Sequence, residues 1–136
     1  MTTIVRFEVP GKPAGKARPR VLKSGHAYTP DPGDFVITTT KFAYDAAKSG
    51  GWELTEEPVG MVISILRRMP KGWSKKRKAE RDGQPAPGRP DFNNVCGAIF
   101  DALEGIFYHN DAQVTNMQAG RVWSDRDMTT VVVYLA

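Results

Sequence analysis

Residues 89–114 read R-P-D-F-N-N-V-C-G-A-I-F-D-A-L-E-G-I-F-Y-H-N-D-A-Q-V, a helical pattern between two acidic positions. Apolar residues recur there at three- and four-residue spacing, which is the period of one buried helix face. The spacing predicts an amphipathic helix from about 92 to 104, and Gly105 is its expected stop. Asp91 stands at the N-cap position, and a polar turn that contains Asp111 follows the helix.

The segments on either side of this helix alternate apolar stretches with Pro- and Gly-rich turns. The pattern predicts an α+β (mixed α/β) fold, with a sheet of about five strands and two main helices, in a single domain over 1–136. The other predicted elements are strand 4–9, a short hairpin 21–28 around Ser24-Gly25, helix 35–49 with Phe42, Ala43, Ala46 and Ala47 inward, strand 59–66, a strand pair 113–117 and 121–123 around Ala119-Gly120, and a buried closing strand 128–135.

Composition excludes several classes of protein. The single cysteine, Cys96, cannot form an intramolecular disulfide, and it falls among apolar residues as a small buried hydrophobe would. One cysteine and two histidines cannot build a Cys/His zinc site. No apolar run approaches the roughly 18 residues of a membrane span. These features predict a cytoplasmic protein with no membrane partner.

Positive charge is concentrated in two segments. The chain carries a net charge of +4, but residues 1–23 carry +5 and residues 67–82 carry +6, so the rest is acidic. Charge segregated in this way is typical of a cationic groove around an acidic site that binds nucleic acid. Solvated surface loops are the alternative interpretation.

Residues 69–90 form a basic, Pro/Gly-rich stretch that we predict to be a loop. Within it, part of 74–81 can form a short helix with Ser74 as its N-cap. A loop of this length in a small domain is usually functional or disordered. Trp73 either stacks on a base or sugar or anchors the loop to the core, and the sequence favours neither.

Each acidic residue has a structural interpretation and a catalytic one. Asp91 is a cap and Asp111 a turn residue in the first interpretation. Asp101 shares one helix side with Asn94 and Gly97, and a carboxylate near a core needs partners. A Mg²⁺ site uses one or two carboxylates and keeps waters for phosphate oxygens. Asp91 and Asp111 supply such a pair if the turn folds back to the helix start.

Several motifs resemble the RusA family of Holliday-junction resolvases. They are P-D-F-N-N at 90–94, F-D-A-L-E-G at 100–105, N-D-A-Q-V at 110–114 and, less specifically, G-K-P-A-G-K-A-R-P-R at 11–20 and A-Y-T-P at 27–30. The resemblance touches most of the chain. It implies a small α/β homodimer, common on prophages, that acts in recombination and repair by cutting four-way DNA junctions with paired nicks that require Mg²⁺ or Mn²⁺.

The family's acidic motif is Asp-x-Asp-Asn with a lysine three residues after the asparagine, and a later Asp precedes Ala/Ser-Gln-Val/Ile. By resemblance, Asp91, Asn94 and Asp111 occupy the first Asp, the Asn and the later Asp. The chain departs from the motif at Asn93, where the family has the second Asp, and at Gly97, where it has lysine. Asparagine keeps an oxygen ligand but loses a charge, and losing lysine removes a cation that stabilises the transition-state phosphate.

The leading hypothesis is a structure-selective, metal-dependent endonuclease for branched DNA. Asp91, Asn93 and Asp111 are its candidate catalytic and metal-binding residues. Cations of the two basic segments would hold the DNA backbone without regard to sequence. The candidate DNA-binding residues are Lys16, Arg18, Arg20, Arg67, Arg68, Lys71, Lys75, Lys76, Arg77 and Lys78.

Two other functions fit the same sequence. Asn93 and Gly97 are also compatible with a catalytically impaired or inactive protein that binds junctions. The basic loop with Trp73 is compatible with a small RNA-binding or interaction module.

Overall fold

A computed structural model describes residues 3–15, 23–25 and 33–136, together with the backbone of 20–21 and 27–28. The segment Pro30-Asp31-Pro32-Gly33, whose residue types predict a turn, lies mostly outside these residues. The elements are β1 (Ile4–Pro10), β2 (Arg20–Val21), β3 (Ala27–Tyr28), α1 (Asp34–Gly50), β4 (Val59–Arg68), α2 (Lys75–Arg81), α3 (Phe92–Leu103), a 3₁₀ turn (Asp111–Gln113), β5 (Val114–Ser124) and β6 (Met128–Leu135).

Four strands form one mixed sheet in the order β1-β6-β4-β5, and β2 and β3 form a separate two-stranded ribbon. β6 is antiparallel to both of its neighbours, whereas β4 and β5 are parallel. A parallel pair needs a long crossover, and here the crossover carries α2 and α3. The predicted α+β class and the hairpin are confirmed, while the main sheet has four strands rather than five and α2 adds a third helix.

One face of the sheet is buried beneath α1 and α3, which also pack against each other. Val131 of β6 stands between Phe7 of β1 and Ile63 of β4 in the register, and all three side chains are buried. The alternation of buried and partly exposed residues along β1 and β6 is the period of a strand with one face on the core. The middle and the end of α3 are therefore packed in this core, while its first turn is partly exposed.

The inner face of α1 differs from the prediction at one residue. Phe42, predicted to point inward, is 39% exposed, while Ala43 beside it is fully buried. Successive helical residues are about 100° apart, so the buried row runs at four-residue intervals and excludes Phe42. The threonines of this helix are accommodated because Thr39 and Thr40 donate their hydroxyl protons to the carbonyls of Phe35 and Val36.

Residues 113–123 do not form the predicted strand pair. All of them except Gln113 belong to the single strand β5. The pairing of β4 with β5 continues up to Ser124, and Gly120 lies opposite Ser64 within it. Gly120, which predicted a turn, therefore does not interrupt the pairing of the two strands. The predicted helix at 92–104 and the short helix capped by Ser74, whose hydroxyl accepts the Arg77 N–H at 3.1 Å, are confirmed.

In the described part of the chain, no helix has both the length and the apolar content needed to cross a membrane.

A methyl group at Gly60 should destabilise the sheet. Gly60 lies directly opposite Tyr134, and an added Cβ would overlap the Tyr134 ring. We expect Gly60→Ala to lower the free energy of unfolding by about 1–3 kcal/mol, measured by urea denaturation.

Gly120→Ala is the matched strand control, because an added Cβ there meets nothing within 4 Å. Its effect should stay within about 0.5 kcal/mol. Equal losses in the two variants would contradict the packing assigned to Tyr134.

Candidate nucleic-acid interface and acidic site

Asp91 presents an exposed carboxylate at the start of α3. It holds the N-cap position, yet its side chain accepts no capping hydrogen bond, so the capping role inferred from the sequence is wrong for the side chain. Its carbonyl does accept the N–H groups of Asn94 and Val95, both at 3.1 Å. The backbone therefore fixes the position of Asp91, while its carboxylate oxygens accept no hydrogen bond from the N–H groups of the helix end.

Arg121 of β5 holds the loop that leads into Asp91. Its Nε donates to the Ala86 carbonyl at 2.9 Å, its Nη1 to Pro90 at 2.6 Å and its Nη2 to Gly88 at 2.9 Å. Burial, and then the charge of Arg67, lower the pKa of the Arg121 guanidinium. The sequence does not predict this role for Arg121, because an isolated arginine inside a strand pattern carries no local signal of its partners.

The N-terminal segment reaches the same place. A Cβ on Gly15 would overlap the side-chain amide of Asn94, so residues 12–15 lie directly on the first turn of α3. This close approach explains why glycine occupies position 15. A depression of about 590 Å³ results, and its lining comprises Lys12, Arg89, Pro90, Asp91 and Asn94.

Asp111 lies at the other end of α3. Its backbone N–H donates to the Glu104 carboxylate at 3.3 Å, and Glu104 is the residue that caps the C-terminus of the helix. The helix has 12 residues, which corresponds to a length of about 18 Å. Asp91 and Asp111 of one chain are thus separated by the length of α3, and no three His, Cys, Asp or Glu side chains within the described residues form a group that could hold a metal ion.

The remaining polar positions of α3 lie on its less buried side. Asn93 and Asp101 are exposed, and Gly97 is half-buried. Cys96 is buried, as predicted, and burial raises the pKa of its thiol above the ordinary value. Asn93 is exposed in the first turn of the helix, but it does not line the depression that contains Asp91.

Two tryptophans anchor the basic loop. The Trp73 and Trp123 rings meet edge to face with centroids 4.9 Å apart. The Arg67 guanidinium lies over Trp123 at 4.9 Å, and the Arg77 guanidinium lies over Trp73 at 4.3 Å. The structure supports the anchoring role of Trp73, because its ring is half-buried against Trp123 and lies under the Arg77 guanidinium.

A second concavity adjoins the depression and collects several of the predicted DNA-binding cations. We call it the cationic cavity; its volume is about 340 Å³. The single ion pair among the described residues joins Arg6 to Glu8, so the cavity's cations have no carboxylate partner in that part of the chain. Among the predicted DNA-binding residues, the cavity lining includes Arg67, Arg68 and Lys71, and Lys12 and Arg121 join them there. Four other predicted residues lie on α2: Lys75, Lys76, Arg77 and Lys78. The side chains of the remaining three, Lys16, Arg18 and Arg20, lie outside the described residues.

A mixed-sheet α+β protein with an exposed aspartate beside several cations has the features of an enzyme that acts on phosphodiesters. Comparison with known proteins agrees. The chain belongs to the RusA endodeoxyribonuclease family, whose model matches residues 10–134. It is also similar to "Uncharacterized protein YqaN" of Bacillus subtilis (strain 168), with 28% identity over 134 residues that cover 95% of this chain and 94% of the relative.

The resemblance inferred from the motifs is thereby confirmed. Membership supports a nuclease of the Holliday-junction resolvase type that binds junction DNA, in a family whose members generally depend on a divalent metal.

Gly15→Ala should weaken junction binding more than it weakens the fold. The added methyl group would push residues 12–15 away from Asn94 and move Lys12 off the depression. We expect the affinity for a labelled four-way junction to fall about tenfold, or about 1.4 kcal/mol, in fluorescence anisotropy. Gly72→Ala, which meets nothing within 4 Å, is the control. Unchanged affinity for Gly15→Ala would contradict the contact.

The protein should lose stability in alkaline solution. Burial raises the pKa of Cys96 and that of Tyr108, and for Tyr108 the nearby Asp111 adds to the shift. A group with a raised native pKa stabilises the fold below its unfolded pKa, and this contribution is lost as the pH rises further. The free energy of unfolding should therefore decline above about pH 9, near the ordinary thiol and phenol values.

Cys96→Ala tests the source of this decline. If the thiol contributes, urea denaturation of the variant will show a shallower slope between about pH 9 and pH 10 than that of the unsubstituted chain. Identical slopes would contradict the contribution of Cys96.

Proposed function

We propose that the chain resolves four-way DNA junctions in the cytoplasm by paired, metal-dependent nicks. The observation that carries this proposal is the exposed carboxylate of Asp91 at the start of α3. It makes no capping hydrogen bond to the helix, and it lies in one depression with Lys12 and Arg89. The cationic cavity adjoins it. A DNA backbone drawn to these cations would place a phosphodiester at the carboxylate.

The available donors suit a hard divalent cation. The carboxylates of Asp91 and Asp111 and the amide oxygen of Asn93 are the oxygen ligands that Mg²⁺ or Mn²⁺ accepts. When bound, the metal supplies an activated water and neutralises charge on the phosphate. Lys12 and Arg89 bind the backbone on either side of the scissile bond. The exposed N–H groups at the start of α3 add positive potential at the same point.

Asp91 and Asp111 can share one metal only if two chains contribute. They lie at opposite ends of α3, so we propose a two-fold homodimer in which Asp91 of one protomer meets Asp111 of its partner, twice. Two sites related by a two-fold axis match the symmetry of a four-way junction and the paired nicks. β5 supports this arrangement: it is an edge strand, residues 115–118 are all exposed, and Met117 is 43% exposed beside Asp111.

A junction-binding protein without cleavage is the second candidate, and Asn93 and Gly97 favour it. Asn93 carries one negative charge less than the aspartate of the family motif, and glycine at position 97 offers no cation in place of the family's lysine. The Arg121 guanidinium donates to the carbonyl of Pro90, the residue before Asp91. We propose that Arg121 supplies the positive charge near Asp91 that the family's lysine would provide. The RNA-binding alternative is less favoured, because Trp73 is partly buried against Trp123.

Cleavage of a synthetic four-way junction, compared with linear duplex in Mg²⁺ and in Mn²⁺, tests the proposal. We expect paired nicks in the junction alone. Asp91→Asn should reduce cleavage by at least about a hundredfold, since it removes a metal ligand. Asp45→Asn, at an exposed aspartate of α1, makes the same chemical change outside the site and should have no effect.

Three other outcomes would decide against this account. Cutting of linear duplex as fast as the junction would exclude structure selectivity. Equal cleavage by Asp91→Asn would exclude its catalytic role. Tight junction binding with no nicks, followed by cleavage in the Asn93→Asp variant, would establish the impaired protein instead.

A further inference from the structure

The cationic cavity has a divided lining. Its rim carries guanidinium and ammonium groups, including Arg67, Arg121 and Lys12, while Ile65, Met69 and Trp123 give it apolar surface. Its volume of about 340 Å³ falls in the lower part of the range, about 300–1,000 Å³, of small-ligand pockets. A ligand that fits must combine a negative group with a flat apolar body.

The two arginines are fixed before any ligand arrives. The Nη1 of Arg67 donates to the Pro87 carbonyl at 2.6 Å, and its guanidinium lies over Trp123. Arg121 donates to three carbonyls of the same loop. Carbonyl partners orient a guanidinium without cancelling its charge. Burial first, and then repulsion from the Arg67 charge, lower the pKa of Arg121. An anion between them relieves that repulsion, and phosphate matches the donor geometry of arginine.

The one carboxylate among the described residues of the cavity lining, that of Asp127, makes no ion pair with Arg67 or Arg121. Asp127 contributes to the cavity, but its Oδ1 accepts the backbone N–H of Arg68 at 2.9 Å and closes the end of β4. A fixed pair of arginines thus faces the cavity, and no ion pair links either of them to a carboxylate in the described part of the chain.

The cavity also has a fixed relation to the acidic site. Lys12 and Pro90 line both the cavity and the depression that contains Asp91. The two concavities therefore share a wall. A DNA strand with one phosphodiester at Asp91 would bring its neighbouring nucleotide to the mouth of the cavity.

We propose that the cationic cavity binds one unstacked nucleotide of the DNA strand, next to the phosphodiester at Asp91. Its phosphate lies on Arg67 and Arg121, and its base lies against the apolar lining formed by Met69 and Pro70. This inference rests on the proposed nuclease function and deepens it. A base inside a duplex is paired and stacked, and removing it costs a few kcal/mol, less where stacking is already broken. The cavity therefore selects branch points over continuous duplex.

Binding of free nucleotides to the whole protein tests the cavity without any cleavage. The probes are deoxynucleoside 5′-monophosphates, with inorganic phosphate and a deoxynucleoside as separate halves of the ligand, all measured by calorimetry. We expect the nucleotides to bind at least about tenfold more tightly than either half. Arg67→Gln should remove that gain, and so should Lys12→Gln, which alters an exposed side chain and leaves the fold intact.

Arg126→Gln is the matched control, because Arg126 is exposed in the turn between β5 and β6 and does not line the cavity. It should bind nucleotides like the unsubstituted chain. Nucleotide binding no tighter than phosphate binding would overturn the base subsite, and equal losses in Arg126→Gln and Arg67→Gln would overturn the assigned location.

A junction that carries a stacking-quenched fluorescent adenine analogue beside the branch point tests the same inference on DNA. Its emission should rise when the protein binds and should not rise with Arg67→Gln at saturating protein. A bound junction without increased emission would overturn the proposal even if the DNA is nicked. Nucleotide binding and increased emission without nicks would instead uphold the cavity and reject the nuclease function.

Discussion

The three hydrogen bonds from the Arg121 guanidinium to the carbonyls of residues 86, 88 and 90 are the contact on which the functional surface depends. They tie β5 to the loop that enters α3, and so they set where Asp91 emerges. The same guanidinium forms part of the cationic cavity. A charged donor bound to three carbonyls is costly to replace, since no uncharged side chain presents three N–H donors in this arrangement. One residue of the sheet thereby aligns the acidic site with the cationic cavity.

The sheet and α3 also keep the two proposed metal-binding carboxylates apart. α3 is buried along most of its length in the core beside the sheet, so its ends cannot approach each other. Asp91 lies at one end and Asp111 near the other. For these two carboxylates to bind one metal, as we propose, a second chain must contribute one of them, because a helix of about 18 Å lies between them. The proposed function thereby links metal binding to dimer formation, and dimer formation to a substrate with two-fold symmetry.

The sequence predicted what local chemistry determines. The period of α3, the Ser74 cap and the strand at 4–9 depend on neighbours within a few residues, and all three are confirmed. The motifs around Asp91 indicated the family because each of them is contiguous in the chain. The role of Arg121, the exposure of Phe42 and the continuity of β5 depend instead on partners far away in the chain. Such partners leave no periodic signal, so propensity alone placed a turn inside β5.

Mixing of two inactive proteins, Asp91→Asn and Asp111→Asn, tests the divided site most directly. In a mixed dimer one site loses both carboxylates while the other keeps Asp91 of one protomer and Asp111 of its partner. Nicking should therefore reappear on mixing, at up to roughly a quarter of the unsubstituted number of sites if protomers exchange at random. A mixture that demonstrably exchanges protomers and stays inactive would show that each site is built within one chain, and this would contradict the account.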